Sequence, residues 1–144
     1  NLRNQRIDHC TGCRECWVKT PGQCVFKDDS IAIREAYAEA DIVIFASPIR
    51  MGFVSSLLKN MMDKLVPLLH PYVEIEGKET TYSKRLEKYP LIGLIYENFS
   101  RDPEDIQITK DLFSRFVINY KSVLIFSFSI GTEISNVIDE IDSY

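Results

Sequence analysis

Three short apolar runs, residues 41–46 (DIVIFA), 91–96 (LIGLIY) and 123–128 (VLIFSF), are rich in β-branched and aromatic side chains and are separated by amphipathic stretches. Runs of this length suit strands covered on both faces, as in a parallel sheet. Between the first two, Leu57, Leu58, Met61, Met62, Leu65, Leu68 and Leu69 recur at helical spacing, with Lys59, Asn60, Asp63 and Lys64 opposite. Pro67 predicts a kink or an end late in this helix. Ile108, Leu112, Phe116, Val117 and Tyr120 mark a second helix, introduced by Asp102-Pro103. Residues 31–40 predict a third, with Asp28, Asp29 or Ser30 as its cap, and residues 132–141 a fourth. Strands alternating with helices imply βαβ units with right-handed crossovers, hence an α/β fold with a doubly wound parallel sheet. A weak, polar run at 2–7 reads as one further strand. Four strands fall short of the five common in the order 2-1-3-4-5, and the deficit lies at the front. A first strand and helix are therefore expected before Asn1, in a single domain that covers 1–144.

The cysteines are as telling as the strands. Cys10, Cys13, Cys16 and Cys24 lie within 15 residues, and the remaining 120 residues after them hold none. Bridges that staple a secreted domain are spread along the chain, so this crowding points to metal binding or redox chemistry. The spacing C-x2-C-x2-C-x7-C is closer to the pattern that wraps a [4Fe–4S] cluster than to the paired C-x2-C units of zinc sites. A loop whose thiols pack as small apolar groups is the third alternative.

With 17 Lys+Arg against 21 Asp+Glu, the net charge of −4 offers no basic footprint for nucleic acid. The longest uncharged stretch, 122–132, has 11 residues, short of the ~20 that span a bilayer. With no visible signal peptide, a cytoplasmic location is expected.

In an open parallel sheet, ligands gather beyond the carboxyl ends of the strands. There the sequence places Ser47-Pro48-Ile49-Arg50-Met51-Gly52, a stretch able to offer backbone groups to a planar heterocycle, or to serve as an ordinary strand-to-helix turn. Asp28-Asp29 read as helix caps rather than a metal site, His9 as a loop histidine, and His70 as a helix-end group that complements the dipole. Met61 and Met62 read as core, and Trp17 either covers the cysteine loop or edges the neighbouring site.

Taken together, the loop from Cys13 through Cys24 to Asp29, the Ser47–Gly52 stretch with Ser55, Leu58-Lys59 and Met62-Asp63 after it, and Lys84-Arg85 through Lys88-Tyr89-Pro90 resemble the flavodoxin-like NAD(P)H-dependent FMN reductases and the related iron–sulfur flavoproteins. The resemblance covers residues 8–98. It implies a flavodoxin-like fold and assigns Ser47, Pro48, Ile49, Arg50, Met51 and Gly52, with Glu97 and Asn98, to FMN. It assigns Cys10, Cys13, Cys16 and Cys24 to a [4Fe–4S] cluster. The implied activity passes electrons from NAD(P)H through the flavin to a quinone, an azo compound, free flavin or a similar acceptor. The alternative it implies is an electron carrier served by ferredoxin, with FMN and a cluster and no small substrate. A homo-oligomer is expected on the same ground. The sequence departs from the family in three places: Lys64 stands where Arg is common, no His appears in the 78–85 segment, and no glycine-serine phosphate loop occurs. A third reading, a phospho-receiver domain, is disfavoured because the strand at 41–46 leads into Ser47-Pro48 and not into an acceptor Asp.

Overall fold

The computed structural model describes residues 1–99, 102–130, 138 and 141. Strands β1 (Ile42–Arg50), β5 (Leu91–Asn98) and β6 (Leu124–Ser129) lie side by side and parallel. They are the three apolar runs of the sequence, and the parallel α/β core is as expected. A two-residue strand, β2 (Phe53–Val54), folds back antiparallel on the end of β1, giving the sheet order β2-β1-β5-β6. Helices α2 (Ser30–Glu39), α3 (Ser56–Asp63) and α4 (Glu104–Asn119) fall where the apolar periodicity puts them. The helix expected over 132–141 lies outside the described residues, apart from Ile138 and Ile141.

Sheet and helices meet in one core. Ile49, Ile92 and Leu94 of the sheet are fully buried, and Phe45 meets Phe113 and Phe116 of α4 edge-on at 5.8 and 5.7 Å. Gly93 is paired with Phe126 across β5 and β6, and a Cβ at this position would overlap the Phe126 ring.

Three expectations are corrected. Residues 2–7 do not form a strand. Leu2–Asn4 make a 3₁₀ turn, and the chain that follows is held by side chains: Arg6 N–H donates to Asp29 Oδ2 at 2.6 Å, and Asn60 Nδ2 donates to Ile7 O at 2.8 Å. The helix predicted over 57–69 is shorter. Helix α3 ends at Asp63, Pro67 lies in a 3₁₀ turn (Val66–Leu68), and the chain leaves as strand β3 (Leu69–Glu76). Leu65, Leu68 and Leu69 are nevertheless buried, so the apolar period tracks the core beyond the helix itself. Finally, β3 and β4 (Glu79–Lys84) form an antiparallel hairpin where only the end of a helix was expected. Its turn is Gly77-Lys78, with Gly77 at φ +64°, a conformation that suits glycine. His70 therefore sits on a strand, 5.8 Å from the Tyr72 ring, and not at a helix end.

Candidate functional site

The cysteine loop is shaped by local backbone rules. Gly12 and Arg14 both take positive φ (+66° and +60°), so the chain bends tightly on either side of Cys13. A single helical turn, α1 (Glu15–Val18), then carries Cys16 and Trp17. Pro21-Gly22 reverses the chain, with Gly22 N–H donating to Cys16 O at 3.0 Å, and this brings Cys24 back toward Cys16. All four cysteines line one cavity of about 270 Å³, whose wall is completed by Trp17, Phe26, Lys64, Pro67 and Tyr82. Trp17 donates its indole N–H to Leu69 O at 3.1 Å and packs 5.3 Å from Tyr82, so the hairpin helps to fix it. Of the two expectations for Trp17, the structure places it over the cysteine loop.

Among the described residues, no three Cys, His, Asp or Glu side chains converge on a point that would hold a single metal ion. The sulfurs surround a space instead. Cys10 and Cys13 are exposed, and Cys16 and Cys24 are half-buried, all as free thiols. Burial pushes the Cys16 thiol up, and the nearby thiols of Cys24, Cys10 and Cys13 push it the same way. Four thiols lining one cavity make a sulfur-rich donor set of the kind that thiolate-bound metal groups use.

Behind the cavity lies a buried charged network. Lys64, at the C-terminal end of α3, has its ammonium 3.0 Å from Asp28 Oδ2 and 3.9 Å from Cys24 Sγ. Asp28 Oδ1 accepts from Ser30 N–H at 3.0 Å and also from the Ser30 hydroxyl, while Oδ2 takes Asp8 N–H at 3.0 Å. Burial alone would raise the Asp28 carboxyl, but the Ser30 hydroxyl, the Lys64 ammonium and the two amides hold it at about 2. Asp28 thus anchors the start of α2, as its reading as a cap implies, and does a second job that its sequence context does not reveal. Lys64 was equally hidden, because helical spacing puts it with Lys59, Asn60 and Asp63 on the polar face.

The second region is the carboxyl rim of the sheet. Register sets Pro48 opposite Glu97 and Ile49 opposite Asn98, so the residues assigned to FMN from two distant segments meet on adjacent strands. They do not all face outward. Strand β1 runs on to Arg50, Ile49 is fully buried, and Ser47 turns its hydroxyl inward to accept from Ser55 N–H at 2.9 Å. Met51 and Gly52 form a two-residue hairpin turn, both at positive φ (+53° and +70°), as a type I′ turn requires. Met51 is 91% exposed, and Arg50 stacks over Phe99 at 5.0 Å. The groups turned to solvent are therefore Arg50, Met51, Glu97 and Asn98, beside the backbone of the turn. A Cβ on Gly52 would sit 3.2 Å from Ile108 and 3.3 Å from Asp105 Oδ1, so the turn fits closely against α4. None of these rim residues lines the cysteine cavity. The rim thus presents backbone of the turn and the long side chains of Arg50 and Met51 to solvent, beside the polar Glu97 and Asn98.

Comparison with known proteins bears on both regions. The family described as NADPH-dependent FMN reductase matches residues 2–81, which include the cysteine loop and the β1 turn. An iron-sulfur flavoprotein of Archaeoglobus fulgidus is 34% identical over 70 residues, covering 49% of this chain and 31% of that protein. An iron-sulfur flavoprotein of Methanocaldococcus jannaschii is 38% identical over 68 residues, covering 47% of this chain and 34% of its own. The chain thus matches about a third of the length of these curated relatives. Among solved structures, the azoreductase AzrA superposes on 99% of this chain and 74% of its own, with a TM-score of 0.53 and 11% identity. That likeness is one of fold, and it makes the architecture flavodoxin-like.

Proposed function

This chain belongs to the NADPH-dependent FMN reductase family, and we propose that it is an FMN-dependent oxidoreductase of the iron–sulfur flavoprotein kind, moving electrons between a flavin at the sheet rim and a cluster in the cysteine cavity. The observation that carries this reading is the single cavity lined by all four cysteines in a chain whose family binds flavin. Cys10, Cys13, Cys16 and Cys24 would ligate the cluster. Arg50, Met51, Glu97, Asn98 and the backbone from Ser47 to Gly52 would receive the isoalloxazine ring. When bound, the flavin would supply two-electron chemistry and the cluster single-electron steps, while the protein orients both. No acid–base pair is required of the side chains at the rim. The partner is then a one-electron protein of the ferredoxin type.

The absorbance spectrum of the purified chain, with FMN, iron and sulfide quantified, tests this. Yellow flavin bands together with broad brown absorbance and about four irons per chain are expected. A chain that retains neither group after incubation with FMN, iron and sulfide overturns the proposal. The family description and the azoreductase-like fold favour a second reading, in which NAD(P)H reduces the flavin and a quinone, azo compound or free flavin accepts the electrons. Steady-state NAD(P)H oxidation by an iron-free, flavin-loaded chain would select it.

A further inference from the structure

The network behind Cys24 carries an inference that rests on the cluster reading. Lys64 is 1% exposed, and its only carboxylate partner among the described residues is Asp28, itself fully buried. Arg34 is buried too; it donates to Ser30 Oγ at 2.8 Å and to Lys64 O at 3.3 Å and has no ion pair among the described residues. Two buried cations thus share this network with one carboxylate, which Lys64 meets directly and Arg34 reaches only through Ser30 Oγ and Lys64 O, so the network behind Cys24 carries one positive charge in excess. Asp63, which also lines the cavity, is engaged on its solvent side by Lys59 at 2.5 Å. Buried charge is costly unless matched, and what the excess faces is a cavity of four thiols. A thiolate-ligated cluster is an anion, and on its half-buried Cys24 side it would supply the missing match.

We propose that Lys64, held by Asp28 and backed by Arg34, is the positioning residue of the cysteine site. Its ammonium turns one N–H toward Cys24 sulfur while another is fixed on Asp28. A compact cation with three donors can serve two acceptors in this way. A positive charge and a hydrogen bond at a ligating sulfur favour the more negative, reduced state, so Lys64 raises the reduction potential of the cluster.

The test compares the iron- and sulfide-loaded wild-type chain with Lys64→Gln, Lys64→Arg and Asp28→Asn, measuring iron per chain and the midpoint potential by redox titration. Lys64→Gln is expected to disfavour reduction about tenfold, which moves a one-electron midpoint down by ~59 mV. Lys64→Arg keeps the charge and should stay near wild type. Asp28→Asn removes the counter-charge and should move the midpoint up. A folded Lys64→Gln chain that loses iron while Lys64→Arg keeps it also supports the proposal. Iron retained in Lys64→Gln with an unshifted midpoint overturns it, as does equal loss of iron from both Lys64 variants. If Lys64→Gln does not fold, Asp28→Asn decides by the sign of its shift. A wild-type chain that takes up no iron overturns instead the cluster reading on which the inference stands.

Discussion

Two residues set stability in ways that can be measured directly. Gly93 lies under the Phe126 ring with no room for a Cβ, so Gly93→Ala must push β6 away from β5. The expected loss is about 1–3 kcal/mol, read as a lower urea midpoint with an unchanged slope. Asp28 acts through pH. Its carboxyl is held at about 2 in the folded protein, below the ~3.9 of an unfolded aspartate. A depressed folded value means that its contribution is present above about pH 4 and is lost as pH falls toward 2, a total of roughly 2–3 kcal/mol. Unfolding followed by circular dichroism between pH 5 and 2 should show that acid limb, and Asp28→Asn should flatten it while lowering stability at pH 7. An identical acid profile in the variant would remove Asp28 from the account.

At the level of elements, sequence and structure agree where burial is two-sided. The runs at 41–46, 91–96 and 123–128 became β1, β5 and β6 because a strand covered on both faces needs continuous apolar side chains. The hairpin β3–β4 was missed because its outer face is wet: Val73 and Ile75 are 64% and 82% exposed, and they alternate with Glu74 and Glu76. That alternation, ending in Gly77-Lys78, was the available signal. The run at 2–7 failed as a strand for another reason, since Arg6 N–H and Ile7 O are taken by the Asp29 and Asn60 side chains from distant elements. At the site, the cysteine cavity was legible because all four thiols lie in one loop of 15 residues. The Asp28–Lys64 pair was not, because its members are 36 positions apart and only the tertiary fold joins them. The hairpin itself is tethered by Lys121, whose ammonium reaches Glu76 at 2.9 Å, Glu74 at 3.3 Å and Thr81 Oγ1 at 2.6 Å. Lys121→Met should release it, costing no more than about 1 kcal/mol because the carboxylates are exposed. Faster amide exchange confined to residues 69–84 is the expected signature, and uniform acceleration across the sheet would contradict it.

Across the whole molecule, the rim and the cysteine cavity are built from different elements, so they should respond to mutation independently. Gly52→Val crowds Ile108 and Asp105 and forces a β-branched residue into a positive-φ turn. It should lower bound FMN several-fold while iron content stays at the wild-type level, as measured on the same purified sample. A parallel loss of both would mean that the two sites are coupled through the core. The chain also carries its own reporter. Its single tryptophan, Trp17, forms part of the cavity wall, so intrinsic fluorescence excited at the indole watches that chamber with no background from elsewhere. Arrival of a strongly absorbing guest would darken the emission, turning loading and release into an optical titration that needs no label.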